Sequence, residues 1–399
     1  MSEEIKKVST KDVSENNVVQ DNDENAQQNS MIDEFFSQSQ FTGFKSFQDD
    51  SKDDNLSSKV SKGAKPGVKS SSKISAKAKG PSSSEALADS LGVKSNPNAS
   101  KTPLRGGFVS VIGLPNAGKS TLVNRIIGEQ VSIVSPKAQT TRQCVTGIYT
   151  NESAQIVFVD APGFIQAETG LNHFIQRQWE ESVKDCDVAL GVLNIDCDTE
   201  DKISNAILTL ASINKPKFAY INKVDLVKYA ERLFIIEQKL RDQNIPFVFG
   251  SAKSASKENI DTLIANLIER LPETDQFLYD KSLYTLQTEK EIAAEVIREK
   301  CFNMLGQEVP YQTGVHIIAF EEDPKCVKIY ADIWISKERY KKIVVGQKGL
   351  KIQDIGTEAR KDLERILGVK VYLSLKVKLK ESWTKNSNML KEIGYELRK

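Results

Sequence analysis

Residues 113–120 read Gly-Leu-Pro-Asn-Ala-Gly-Lys-Ser. They lie between an apolar alternation, Phe108-Val-Ser-Val-Ile112, and a run at helical spacing, Thr121-Leu-Val-Asn-Arg-Ile-Ile127. A strand, a glycine-rich turn and a helix start in direct succession leave few folds open. The octapeptide has the form G-x-x-x-x-G-K-[ST], whose glycines let the backbone wrap an anion while the helix N-terminus points N–H groups and a positive dipole at it. Gly113, Asn116, Ala117, Gly118, Lys119, Ser120 and Thr121 are therefore read as the phosphate-contacting set. Within it Lys119 reaches β/γ-phosphates and Ser120 ligates Mg²⁺.

The rest of the stretch from about Arg105 to Pro272 alternates in the same way. Apolar runs at 108–112, 155–160, 187–195, 217–221 and 246–249 are separated by helical patterns such as 200–213, 229–243 and 257–271. This predicts an α/β domain with a mainly parallel sheet and helices on both faces, its ligand at the C-terminal ends of the strands.

Polar motifs stand at those ends. Asp160-Ala-Pro-Gly163 follows the 155–160 run: Asp160 is placed to hold Mg²⁺ and the Gly163 N–H to meet a γ-phosphate. Asn222-Lys-Val-Asp225 follows the 217–221 run. A carboxylate at Asp225 accepts from guanine N1–H and its exocyclic amine, a donor pair adenine lacks, so adenine would leave a buried charge unpaired. Asn222 braces the loops and the Lys223 stem packs on the base. Ser251-Ala-Lys253 closes the set, with the Ala252 N–H expected to donate to guanine O6.

Gln139-Thr-Thr-Arg-Gln143 falls between the first helix and the next strand. A threonine here completes Mg²⁺ coordination when the γ-phosphate is present, which makes the loop a switch. Thr141 is preferred over Thr140. Hydrolysis needs an ordered water and neutralised phosphate charge. The residue after Gly163 is Phe164, which cannot orient water, so slow intrinsic turnover is expected. Asn116 is the candidate to supply what is missing, by helping to hold a potassium ion. Lys119, Thr141, Gly163 and Asn116 are thus the expected catalytic set, and Ser120, Thr141 and Asp160 the metal ligands.

After a linker at 274–286 the character changes. A helix at 287–305, strands at 314–320 and 326–335, helices at 337–345 and 350–367 and a strand at 369–379 give a separate α+β domain of order α-β-β-α-α-β, spanning 287–397. Gly346-Gln-Lys-Gly349 joins its last two helices. A G-x-x-G turn in that position clamps the backbone of single-stranded nucleic acid, as in KH domains. Lys342, Gln347, Lys348 and Lys351, with Gly346 and Gly349, form the expected RNA contact, and Lys341 adds phosphate attraction. Lys376-Val-Lys-Leu-Lys380 makes one strand face basic, either as part of that contact or as a plain solvated edge.

Composition constrains the remainder. Lys+Arg 55 against Asp+Glu 54 is neutral overall, so only local charge argues for nucleic acid. Five scattered cysteines without a C-x-x-C, and only two histidines, argue for free thiols and against a His-based metal site. No apolar run approaches the ~18 residues of a membrane span, and the N-terminus reads as neither a signal nor a transit peptide. Residues 1–104 are too rich in Ser, Lys, Asp, Asn and Gln to bury a core and read as a disordered extension. Within it lie Phe35, Phe36, Phe41, Phe44 and Phe47, and an acid-free tract from Asn55 to Ser84 with seven lysines, a solvated linker or a track for RNA or anionic lipid.

From the phosphate loop, Ser135-Pro-Lys-Ala-Gln-Thr-Thr-Arg142, Asp160-Ala-Pro-Gly163, Asn222-Lys-Val-Asp225, Leu305-Gly-Gln-Glu-Val-Pro-Tyr311, Gly356-Thr-Glu-Ala-Arg-Lys-Asp-Leu-Glu364 and Val371-Tyr-Leu-Ser-Leu-Lys-Val-Lys378, the chain resembles the Era family of bacterial ribosome-assembly GTPases over about 106–397. The resemblance implies a G domain at 105–273 and a type II KH domain. It also implies binding of GTP/GDP with Mg²⁺ and action on the 16S rRNA 3′ end in 30S subunit assembly and rRNA maturation. The protein would be a monomeric cytoplasmic GTPase with a peripheral inner-membrane fraction. An alternative is a GTP switch at the membrane surface for which RNA is secondary. The family's usual Asp-Thr-Pro-Gly is here Asp160-Ala-Pro-Gly163, and the N-terminal extension has no counterpart in the usual pattern.

Overall fold

A computed structural model describes residues 103–396 except 136, 138, 165, 166, 168, 198 and 324. The expectations for the extension, its phenylalanines and its lysine tract lie outside the described residues. The described part forms one compact unit with two sheets.

The first sheet has the order β2-β3-β1-β4-β5-β6. Its strands are β1 (Arg105–Ile112), β2 (Val145–Thr150), β3 (Ala154–Asp160), β4 (Val188–Asn194), β5 (Lys217–Asn222) and β6 (Phe247–Phe249). All pairings are parallel except β2 with β3. Helices α1 (Lys119–Ile127), α2 (Gly170–Asp185), α3 (Glu200–Ser212), α4 (Ala230–Asp242) and α5 (Lys257–Arg270) connect them. β4 (VALGVLN) is buried throughout, as a strand covered on both faces must be. Val111, Leu122, Phe158, Leu190, Phe218 and Leu263 belong to one apolar core beneath the sheet's C-terminal edge.

The second sheet is β7-β8-β9, from β7 (Thr313–Glu321), β8 (Cys326–Ile335) and β9 (Lys370–Leu379). β7 is antiparallel to β8, with a bulge between Ile317 and Ala319, and β9 runs parallel to β8. Helices α6 (Glu289–Met304), α7 (Glu338–Val345) and α8 (Leu350–Leu367) cover one face around Ile297, Ile329, Ile333, Val344, Ile355 and Leu363. The expected order α-β-β-α-α-β is present, followed by a short α9 (Ser387–Glu392). A third cluster packs Leu171, Phe174 and Ile175 of α2 against Trp334, Trp383, Leu390 and Tyr395, and so ties the two sheets' surroundings together.

Two elements of the first sheet go beyond the sequence reading: the antiparallel edge β2 and the helix α2. The segment 274–286 is also more anchored than a free linker. Tyr279 exchanges two hydrogen bonds with the Gln155 carboxamide (2.8 and 3.0 Å), and the Ile148 N–H donates to Tyr284 O at 2.8 Å.

Helix starts differ. Side chains of Thr199, Ser256 and Thr288 cap α3, α5 and α6, each with acidic residues in its first turn. Helices α1 and α8 have neither. Each begins directly after a left-handed glycine, Gly118 or Gly349, with no side chain capping its positive dipole end, although in α8 the Leu350 N–H is taken by Gln347 O.

Candidate nucleotide and RNA sites

A cavity of ≈ 790 Å³ opens at the C-terminal ends of the first sheet. Asn116, Gly118, Lys119, Ser120, Thr121, Thr141, Gly163 and Lys223 line it, with Asn194, Asp196 and the 133–135 segment. Lys119 is buried and donates from Nζ to Gly113 O (3.1 Å) and Leu114 O (3.0 Å), so its ammonium is held inside the loop it belongs to. Burial lowers its pKa, and the nearby Asp160 charge opposes that shift.

The three expected metal ligands converge. Ser120 Oγ donates to Asp160 Oδ2 at 2.6 Å and lies 3.3 Å from Thr141 Oγ1. Burial raises the Asp160 pKa against the pull of Lys119, Ser120 and Ser132, and its Oδ1 is buried with no hydrogen-bond partner among the described residues. A buried orphan carboxylate oxygen beside two hydroxyls is the hard-oxygen donor set Mg²⁺ takes. Thr140 points elsewhere: its hydroxyl donates to Lys137 O at 2.7 Å.

Asn222 ties the base-reading loops to the phosphate loop. Its Nδ2 donates to Ala117 O (2.7 Å), and its Oδ1 accepts from the N–H groups of Lys223 and Ala252 (2.8 Å each). The backbone of Gly118 passes so close that a Cβ there would sit 2.2 Å from Asn222 Nδ2, at a φ of +94 that side chains disfavour. The Ala252 N–H differs from expectation: it is engaged by Asn222 Oδ1 rather than left open for guanine O6. Ser251 and Ala252 are buried, Asp225 and Lys253 are exposed, and none of the four lines the cavity. Lys223 Nζ pairs with Asp196 at 2.7 Å, and Asn194 also hydrogen-bonds that carboxylate. Burial opposes ionisation there, but the Asn194 and Lys223 hydrogen bonds prevail and lower the Asp196 pKa. The sequence reading missed Asn194 and Asp196; the signal was the polar Asn-Ile-Asp ending an apolar strand.

Phe164 is exposed and packs edge-on against Trp179, ring centres 4.9 Å apart, offering no hydrogen bond to water.

The loop holding Thr141 is gripped from the other side. Arg142 is 2% exposed and donates to Thr313 O (2.8 Å), Tyr311 O (3.1 Å) and Pro310 O (3.3 Å), with its guanidinium near the Phe302 and Trp383 rings. Arg298 of α6 donates to Thr140 O at 2.6 Å, Lys137 Nζ to the carbonyls of Phe302 and Leu305 at the end of α6, and Gln143 Nε2 to Gly394 O at 2.6 Å. Arg142 stood in a quoted motif, but its partners lie about 170 residues away in sequence, so its role was not readable there.

Beside the second sheet, Lys342, Gly346, Gln347, Lys348, Gly349 and Lys351 come together at the α7–α8 junction. Gly346 has φ +74, and a Cβ on it would meet Lys351 Cβ at 2.5 Å. Lys341, Lys342, Gln347 and Lys348 are exposed, and the apolar Ile343 and Leu350 flank the turn at 47% and 57% exposure.

Comparison with known proteins agrees with this geometry. Residues 108–223 match the family described as 50S ribosome-binding GTPase, and residues 308–384 match the KH domain family. GTPase Era from Trichlorobacter lovleyi is 42% identical over 300 residues, covering 74% of this chain and 100% of that protein. The chain belongs to the Era family of GTPases. GTPase Era from Ruminiclostridium cellulolyticum is 37% identical over 74% of this chain and 99% of its own. Two solved Era structures superpose over 74% of this chain and 100% of theirs at 32% identity. One is a tyrosine-to-alanine variant from Aquifex aeolicus bound to GDP and aluminium fluoride, with TM-score 0.69. The other is Era with MgGDPNP and nucleotides 1506–1542 of 16S ribosomal RNA, with TM-score 0.68. This chain is accordingly a GTP-hydrolysing enzyme with a P-loop domain and a C-terminal KH domain. Among the described residues, no helix is long and apolar enough to cross a membrane.

Proposed function

We propose that this GTPase binds single-stranded RNA at the 3′ end of 16S rRNA and acts as a monomer in 30S subunit assembly and rRNA maturation. The state of the nucleotide sets how firmly the RNA is held. The observation that carries the reading is the loop Gln139–Gln143. Its Thr141 hydroxyl stands 3.3 Å from Ser120 Oγ, while the next residue, Arg142, is bonded to three carbonyls at the entry to β7. A γ-phosphate that recruits Thr141 therefore pulls on the backbone of the RNA-binding unit.

Within the pocket the roles divide by chemistry. Lys119 and the open N-terminus of α1 receive the phosphates; Gly163 offers its N–H to the γ-phosphate. Ser120, Asp160 and Thr141 hold Mg²⁺, which when bound supplies positive charge to the phosphate oxygens. Asp225, exposed at the end of β5, reads guanine. The Phe164 side chain has no group to orient water, so turnover is slow. Asn116, which lines the cavity together with Gly163, holds a potassium ion that compensates in part.

The Gly346–Gly349 turn clamps the RNA backbone, and the Leu350 helix dipole together with Lys342, Lys348 and Lys351 attracts its phosphates. Multiple-turnover phosphate release from GTP, with and without an oligonucleotide of the 16S 3′ end, tests this reading. Release is expected to change with RNA in the wild type and to be indifferent to RNA in Gly349→Asp. Indifference in both proteins would sink the proposal.

A further inference from the structure

The basic alternation at the end of β9 takes no part in the nucleotide cavity or in the Gly346–Gly349 turn. Helices α6, α7 and α8 cover the sheet face that carries Ile329, Ile333 and Val371. Because side chains alternate along a strand, the opposite face carries Lys328 and Tyr330 of β8 and Lys370, Tyr372, Ser374, Lys376 and Lys378 of β9. Tyr372 is 52% exposed, and its ring lies 5.9 Å from that of Tyr330, tilted by 60°. Lys328 stands opposite Tyr372 in register. Lys378 is paired with Asp332 at 2.6 Å, whereas Lys328, Lys370 and Lys376 are exposed and pair with no carboxylate among the described residues. Glu321, opposite Lys328 on β7, is the second acid that the strands place on this face, so on the strands four lysines stand against two carboxylates, while Glu392 of α9 lies beside His316 and Lys380.

β9 is an edge strand, and it leads from the turn to the tyrosines. Gly356 of α8 faces Leu375, and α8 runs back into β9, so the Gly346–Gly349 turn lies towards the Leu379 end of β9. From Lys376 to Tyr372 is ~13 Å along the strand. A KH turn grips about four nucleotides. A longer strand leaving it round the open edge of β9 meets Lys376 and then the rings.

We infer that this sheet face is a second single-stranded RNA surface, on which bases stack against Tyr372 and Tyr330 while phosphates follow Lys376, Lys328 and Lys370. An exposed ring, Tyr372, beside the half-buried Tyr330 on a sheet with lysines next to them suits nucleic acid, because every base offers a π-face and every step a phosphate. The inference rests on the reading of the Gly346–Gly349 turn as an RNA clamp.

The test measures binding of full-length protein to a tetranucleotide and to a 12-nucleotide RNA of the 16S 3′ end by fluorescence anisotropy. The proteins are wild type, Y330S/Y372S, K328Q/K376Q and G349D. The 12-mer is expected to bind Y330S/Y372S about tenfold more weakly for each lost stack, with the tetramer unaffected. In K328Q/K376Q the slope of log affinity against log salt for the 12-mer is expected to fall by ~1.4. Unaltered 12-mer affinity in Y330S/Y372S would overturn the inference, and tetramer binding retained in G349D would remove the clamp reading beneath it. Loss of binding to phosphatidylserine-containing vesicles in K328Q/K376Q, with RNA binding intact, would assign the face to lipid instead.

Discussion

Asn222 concentrates more of the pocket's order than any residue that touches phosphate. One carboxamide joins the phosphate loop, the Lys223 turn and the Ala252 turn through three hydrogen bonds. In Asn222→Ala the Ala117 carbonyl and two N–H groups lose their partner in a buried site. A loss of ~2–4 kcal/mol of stability in urea unfolding is expected, together with weakened GDP binding; an unchanged midpoint would contradict the bracing role. In the proposed reading Asp225 acts on the base alone. Asp225→Asn is expected to weaken GTP and GDP by at least ~1.5 kcal/mol, about tenfold, in competition against fluorescent GDP, with ATP failing to compete against the wild type. Equal competition by ATP and GTP would remove the guanine assignment. Asn116→Ala tests the potassium proposal: the difference in phosphate release between potassium and sodium is expected to vanish. A variant that keeps the difference would show that the ion is held elsewhere.

At the scale of elements, the loop 139–143 is a short strap in which a proposed metal ligand, Thr141, stands next to a buried anchor, Arg142. Burial lowers the Arg142 pKa, opposed by Tyr395 and Glu295, yet no carboxylate among the described residues is bonded directly to its guanidinium; carbonyls and rings hold it. Arg142→Met keeps the bulk and removes the three bonds. GDP affinity is expected to stay within about threefold, since Ser120, Lys119 and Asp160 are untouched, while the dependence of RNA affinity on GTP versus GDP is lost. Persistence of that dependence would mean the signal travels another way.

The legibility of these elements follows a physical divide. α1 and its loop were readable because phosphate binding demands particular residues at fixed spacing, and the α6–β9 order because its apolar periods are clean. β2 was obscured because VTGIYT is an edge strand with a glycine and two threonines and little apolar signal. α2 was obscured because only part of its surface is apolar, much of it packed on Trp334, Trp383 and Tyr395 far along the chain. Arg142 was visible as a letter in a motif and not as an anchor, because backbone carbonyls leave no trace in sequence. The same holds for the Ala252 N–H, whose engagement by Asn222 depends on how two loops meet.

At the scale of the whole molecule, the two proposed anion sites share one kind of helix start, and a strap runs between them. Both α1 and α8 start after a left-handed glycine with no side-chain cap and no acid in the first turn. The strap carries Thr141 towards the first site and Arg142, Lys137 and Gln143 to the surroundings of the second sheet. If nucleotide changes RNA affinity, RNA must change the preference for GTP over GDP by the same factor.

The most direct test is filter binding of a single-stranded 16S 3′-end oligonucleotide to the full-length protein, saturated first with a non-hydrolysable GTP analogue and then with GDP. A ratio of affinities of about five or more, in favour of the GTP form, is expected for coupled sites. Equal affinity in the two states would contradict the account, leaving a GTPase and an RNA-binding domain that share a chain without communicating.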